Sequence, residues 1–181
     1  MLILYGVPVS TYTTKVRIAL HAKGLAFDER PPPDGYRSDA WRAIIPTGTI
    51  PAIDHDGFLL SESEAIIEYL DDAFGGPSLL PGTPQMRARA RMLARVHDLM
   101  VEPSVRALFA LIRDPARRGA LPELAQAIEA RLAQLAALRP NRAVYLAGPE
   151  FSTADCGLAV TLALAQRLLP VSYTHLRAHE T

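Results

Sequence analysis

The sequence predicts a mixed α/β unit followed by an all-helical one. Three observations predict it. Short apolar runs alternate with helical patterns over residues 2–74. A stretch rich in glycine and proline, 75–84, then interrupts the chain. Beyond it, every patterned segment has helical spacing.

The elements follow in order. Residues 2–6 are short and apolar, as a buried strand is, and Gly6-Val7-Pro8-Val9-Ser10 breaks them. Residues 13–23 read as a helix, with Val16, Ala19 and Leu20 on one face and Gly24 as its stop. Phe27 to Arg30 is a second strand, ended by three prolines, and Ser38 to Ile45 a short helix. Ile50 to Asp54 and Phe58 to Leu60 form a hairpin around Asp56-Gly57. Ser61-x-x-Glu64 has the capping-box pattern, opening a helix that runs to about Phe74. The order is β-α-β-α-β-β-α.

After the linker, residues 85–112 carry Met86, Leu93, Val96 and Met100 at helical spacing, with a kink expected at Pro103. Residues 122–138 and 152–169 are two more helices. The latter opens on Ser152-Thr153-Ala154-Asp155, a capping box in acidic form, which gives Asp155 a structural role.

Composition narrows the function. The chain of 181 residues carries 19 Lys+Arg against 19 Asp+Glu, so nothing in its charge points to nucleic acid. No apolar run approaches membrane-spanning length, and the N-terminus lacks a secretory pattern. The single cysteine, Cys156, excludes an intrachain disulfide, fits a reducing cytoplasm and reads as a small buried hydrophobe. The histidines show no zinc-type spacing, so no metal is expected. Only two of the basic residues, Lys15 and Lys23, are lysines; with abundant alanine, this reads as GC-rich, bacterial codon usage.

Four motifs carry chemistry together. They are Ser10 ahead of Lys15-Val16-Arg17-Ile18-Ala19-Leu20; Pro46-x-Gly48-x-Ile50-Pro51; Glu62-Ser63-x-Ala65-Ile66; and Phe151-Ser152-x-Ala154-Asp155. In order and spacing they resemble the cytosolic glutathione transferases, over residues 1 to about 170. The resemblance implies a thioredoxin-like glutathione-binding domain (1–76), then a helical domain (85–170), incomplete at its end. It also implies a cytoplasmic protein, homodimeric in its full-length form, that conjugates glutathione, as co-substrate, to small electrophiles in detoxification.

The family's site carries over residue by residue. Ser10 takes the position of the hydroxyl that stabilises the thiolate at a helix N-terminus. A helix-capping serine is its plainer reading, and Tyr12 is the rival donor. Thr11 offers a second hydroxyl, while Tyr5 reads as core. Ile50-Pro51 resembles the family's cis-proline turn, which pairs with the cysteinyl backbone of the tripeptide. Thr49 precedes it, where lysine is frequent, and Ile45 stands where asparagine is common. Glu62 suits the γ-glutamyl ammonium, and Ser63 with the free helix amides suits its carboxylate. Around Ser10 the chain is zeta-like, but Tyr12 replaces the zeta-type cysteine and argues against maleylacetoacetate isomerisation.

Arg87, Arg91 and Arg95 fall four apart and read as a solvated stripe, with a dimer interface the alternative. Asp98 is placed to reach a partner's site, and Glu102 and Arg106 to line the electrophile pocket. A binding protein without turnover, like the family's RNA-polymerase-associated members, is the rival function. A glutathione-dependent isomerase, dehalogenase or disulfide reductase is another.

The last eleven residues, Val171 to Thr181, resemble a translated transposase sequencing adapter. They are expected to be an artefact of read-through, so His175 and His179 are not read as a metal pair. The natural chain is then expected to continue with at least one more helix.

Overall fold

The computed structural model describes residues 1–168, apart from the side chains at 112, 115 and 118. The expected domain limit at 170 and the adapter-like segment 171–181 lie outside the described residues.

Four strands, β1 (Leu2–Tyr5), β2 (Asp28–Arg30), β3 (Ala52–His55) and β4 (Phe58–Ser61), form one sheet in the order β2-β1-β3-β4. β1 and β2 are parallel, and the other pairs antiparallel. Helices α1 (Thr11–Ala22), α2 (Asp39–Arg42) and α3 (Ser63–Ala73) complete the thioredoxin-like unit. Alternation along the strands sorts its two faces. Leu2, Leu4 and Ile53 meet Val16, Leu20, Ile66 and Leu70 on the side of α1 and α3. Tyr5 and Ala52 meet Trp41 of α2 on the other, so Tyr5 is core as expected. Each fully buried Leu or Ile contributes about 1.5–3 kcal/mol.

The turns match their residue types. Asp56 and Gly57 have φ of 51° and 90°, the hairpin conformation that an Asp-Gly pair supplies. Gly24, at φ 69°, ends α1 while the Leu25 amide donates to Leu20 O at 3.0 Å.

One expectation fails here. Ser61 does not cap α3, because it is the last residue of β4. The cap position falls to Glu62, whose side chain makes no capping bond, and Glu64 turns toward Lys15 instead of back to the helix start. Strand pairing of Ser61 with Ala52 outweighs the local capping pattern.

The helical half comprises α4 (Pro84–Val96), α5 (Glu102–Arg106), α6 (Leu108–Arg113), α7 (Leu121–Ala137) and α8 (Thr153–Leu168). The expected helix over 85–112 is therefore divided. One turn of π-helix, His97–Val101, precedes Pro103, and the path breaks again before α6. The Ser152–Asp155 box is formed on its acidic side: Asp155 accepts from Ser152 N at 2.9 Å and from Leu146 N at 2.7 Å. Cys156 of α8 is fully buried in the core of the sheet unit, which locks the two halves together.

Candidate active site

The loop after β1 delivers Ser10 to the start of α1. Its backbone is extended (φ −76°, ψ 121°), and its Oγ accepts from Thr13 N at 3.1 Å. Ser10 is thus a helix cap, as its plainer reading has it. A hydroxyl can accept and donate at once. Among the described residues, nothing accepts the Ser10 proton.

Ser10 opens on a cleft of about 390 Å³ shared with Tyr12, Thr49 and Ile50. A second cleft, of about 450 Å³, lies on the other side of Tyr12. Thr49, Ile50, Pro51, Glu62, Ser63 and Asp98 line it. The fold therefore brings Ser10, Tyr12, Thr49, Ile50, Pro51, Glu62 and Ser63 into two adjoining clefts. It does not bring Thr11 there. Thr11 is buried, donates to Glu102 Oε1 at 2.6 Å and accepts from Arg106 Nη2 at 3.0 Å.

The Ile50-Pro51 bond is cis and leads into β3. Among the described residues, the Ile50 amide and carbonyl have no backbone partner. Thr49 O accepts from Trp41 Nε1 at 2.9 Å, which pins the turn to α2. Glu62 stands at φ 73°, a conformation that costs a non-glycine residue about 1–3 kcal/mol. That bend presents the first amides of α3 to the second cleft with no side-chain cap in their way.

Tyr12 is poorly suited to lose its proton. Burial first, then the charges of Glu102 and Asp98, push its phenol above the ordinary tyrosine range. Its hydroxyl donates to Asp98 O at 3.4 Å, and Arg106 lies over its ring at 5.1 Å.

From the second cleft, where Glu64 and Asp98 line it, a polar chain runs into the interior. Lys15, 1% exposed, pairs with Glu64 and with Asp98, the latter at 2.7 Å. His97 Nδ1 bonds Asp98 Oδ1 at 2.9 Å, its Nε2 bonds Thr161 at 2.8 Å, and Thr153 donates to Glu64 at 3.2 Å. Burial works against the Asp98 charge, but His97 and Lys15 outweigh it and hold the carboxyl below its ordinary range. Asp98 is thus engaged within its own chain.

The arginine stripe is partly engaged too. Arg91 pairs with Glu68 at 2.8 Å, Arg87 donates to Gly82 O at 3.0 Å, and Arg95 lines the second cleft. Sequence reasoning missed Lys15, Glu64 and Arg95. The signal for Lys15 was its place on the stripe Thr11, Lys15, Ala19, where a lysine needs a buried partner. Arg95 had no such signal, since helical spacing reads it with Arg87 and Arg91 as a solvated stripe and does not show which cleft the end of α4 meets. Among the described residues, no group of acidic, histidine or cysteine side chains has the arrangement of a metal site.

A family model described as "Glutathione S-transferase, N-terminal domain" matches residues 4–78. A glutathione S-transferase of Pseudomonas putida is 30% identical over 177 residues, 91% of this chain and 75% of the relative. The chain belongs to the glutathione S-transferase family. A stringent starvation protein A homologue of Histophilus somni is also 30% identical, over 88% of this chain and 73% of its own. Among solved structures, the holo form of a maleyl pyruvate isomerase, titled a bacterial glutathione S-transferase in the zeta class, superposes with a TM-score of 0.77. It is 28% identical, over 92% of this chain and 84% of the other. The transferase fold thus spans both halves, with a thioredoxin-like first domain and a helical second one.

Proposed function

We propose that this transferase binds glutathione across the two clefts and adds its thiolate to small electrophiles. The observation that carries the reading is Ser10, a helix-cap hydroxyl with an uncommitted proton, opening on the cleft that Ile50 shares. Ser63 and the first amides of α3 receive the γ-glutamyl carboxylate, and Glu62 its ammonium group. The Ile50 amide and carbonyl pair with the cysteinyl unit. The sulfur then meets the Ser10 hydroxyl at the positive end of α1, where a donated proton and the helix dipole both favour thiolate. Thr49 stays beside the peptide as a cleft wall. Tyr12, held as a neutral phenol, separates the subsites, and Thr11 positions Glu102 and Arg106.

Replacing Ser10 by Ala tests this. Glutathione affinity is expected to persist while the rate falls about 10- to 1000-fold, the range for one positioned donor. A full rate in Ser10→Ala with a loss in Tyr12→Phe would transfer the role to Tyr12.

Similarity to the stringent starvation protein A homologue favours a second reading, binding without turnover. Retention on immobilised glutathione with no conjugation across an electrophile panel would establish it. The zeta-class neighbour keeps glutathione-dependent isomerisation in view, with dehalogenation and disulfide reduction at the same sulfur as further variants.

The reading includes a cytoplasmic homodimer for the full-length form. Phe58 and Leu59 on edge strand β4, and Met92 and Leu99 on the helical half, remain exposed and supply apolar surface for a second copy. Sedimentation showing only monomer at micromolar concentration would remove that part. The division at 1–76 and 85–170, with 171–181 set apart, is likewise our reading. Among the described residues, no helix is long and apolar enough to cross a membrane.

A further inference from the structure

We infer that the electrophile carries a carboxylate or a similar anion, and that Arg113 receives it. This rests on the glutathione reading above and names the substrate class of that site.

The cleft at Ser10 is unusual in charge. Arg37, Arg106 and Arg113 all line it, and no Asp or Glu among its described lining residues does so. The adjoining cleft is the opposite, with Glu62, Glu64 and Asp98 against Arg95. The chain as a whole has formal net charge +0, so this is segregation and not a general excess of cations.

The three guanidiniums are not equivalent. Arg106 is held by Glu102 through two nitrogens, Nε at 3.1 Å and Nη2, and its Nη2 also donates to Thr11. Its charge is balanced before any ligand arrives. Arg37 and Arg113 have no carboxylate partner among the described residues. Arg37 lies over the Tyr36 ring at 5.6 Å. Two unbalanced cations facing one small cavity repel each other, and an anion between them relieves that cost.

Glutathione brings two carboxylates. The γ-glutamyl one falls to Ser63 and α3, in the other cleft. With the cysteinyl unit on Ile50, the extended peptide runs from α3 past Thr49, so its glycyl carboxylate meets Arg37. That leaves Arg113 with no group of glutathione to bind. Arg113 follows Phe109 by four residues on α6, so the two share a face. Phe109, Val7 and Val9 give the same cleft apolar wall. An aromatic or unsaturated acid fits this pairing: its flat body against Phe109, its carboxylate on the Arg113 fork.

A matched pair of acceptors tests the inference: a chlorobenzoate with chloride para and nitro meta to the carboxylate, and its methyl ester. In each, the glutathione sulfur bonds to the carbon that bears chlorine, the carbon–chlorine bond breaks, chloride leaves, and the thiol proton passes to water. Each kcat/KM is divided by the uncatalysed rate constant with glutathione, to remove intrinsic reactivity. The acid is expected to be preferred by roughly 10- to 100-fold, the scale of one charged hydrogen-bonded pair. Arg113→Met should bring that preference close to unity and leave the ester rate in place. Arg37→Met should raise KM for glutathione with both acceptors. Arg89→Met, which removes an exposed charge elsewhere on the helical half, should keep the preference. An Arg113→Met enzyme that still favours the acid, or a wild type that favours the ester, overturns the inference.

Calorimetry with the two preformed glutathione conjugates gives the same answer without turnover. Tighter binding of the acid conjugate, lost in Arg113→Met, upholds the inference even if conjugation itself fails. Glutathione binding with no difference between conjugates overturns it and leaves the glutathione reading standing. Failure of glutathione and both conjugates to bind overturns both.

Discussion

Lys15 Nζ lies 2.7 Å from Asp98 Oδ2 and also pairs with Glu64. A single buried ammonium thereby joins α1 to the start of α3 and to the π turn of the helical half. Glu64 belongs to the first turn of α3, and Asp98 lines the same cleft, so this contact sets the shape of the candidate glutathione site. Lys15→Met removes the buried cation from two partly buried carboxylates, Asp98 keeping only His97, and should destabilise the protein by about 3 kcal/mol. Adding Asp98→Asn should recover part of that loss. Urea unfolding of the single and double variants checks it, and strict additivity would show that the two residues do not couple.

The depressed Asp98 pKa has a consequence for acid stability. A carboxyl that binds its proton less tightly folded than unfolded contributes stability above its unfolded value, about 3.9. That contribution is lost as pH falls below about 4 and through the depressed folded value. The urea midpoint of the wild type should therefore drop more steeply over this range than that of Asp98→Asn. Parallel curves would assign the acid sensitivity to other carboxylates.

Cys156 should be chemically silent in the native protein. Burial, above all, pushes its thiol up to about 12, and its sulfur is fully enclosed. A disulfide reagent at pH 8 is expected to label it only at the rate of unfolding. The same raised pKa favours the unfolded state progressively from about pH 8.5 upward, where the unfolded thiol ionises and the folded one does not. Rapid stoichiometric labelling without denaturant would contradict the buried position.

Gly157 permits the approach of His97. A Cβ there would lie 2.7 Å from both Cε1 and Nδ1 of the imidazole and 3.4 Å from Lys15 Cδ. His97 is anchored at both nitrogens, so it cannot step aside cheaply. Gly157→Ala should cost about 1–3 kcal/mol despite the better helix propensity of alanine. A thermal melt unchanged from wild type would show that α8 can move off the π turn at little cost.

Glu62 and Ser63 should act on affinity more than on rate. Glu62→Ala or Ser63→Ala is expected to weaken glutathione binding by about 1–3 kcal/mol, since each leaves a charged ligand group poorly paired. Titration calorimetry reads this directly. Unchanged affinity in both variants would remove the start of α3 from the glutathione site.

Much of the fold was legible because its signals are local. Gly24 ends α1, Asp56-Gly57 turns the hairpin, and Asp155 reaches back to Ser152, each through bonds within a few residues. Ser10 and the Ile50-Pro51 turn were legible as a spaced pattern; Ile50 shares the Ser10 cleft, and Pro51 lines the adjoining one. Ser61 was misread for the converse reason. Its capping pattern is local, but its pairing partner, Ala52, comes from another strand. Thr11 reads from the sequence as a second hydroxyl for the site. The helix turns it by about 100° per residue, and that rotation sends it to Glu102.

The sequence by itself determined the order of elements in the sheet half, the turns between them and the family, because these depend on periodicity, backbone preference and motif spacing along the chain. Tertiary structure alone decided the partners of the charged side chains that pair across the fold. Helical spacing puts Lys15 on a buried stripe but does not name its partners, and both lysines are buried against carboxylates brought from elsewhere in the chain: Glu64 and Asp98 for Lys15, Asp71 for Lys23. The charge of the Ser10 cleft likewise arises from Arg37 and Arg113, which lie on different halves of the molecule. Coulombic interaction depends on distance in space and on burial, and neither is encoded in separation along the chain.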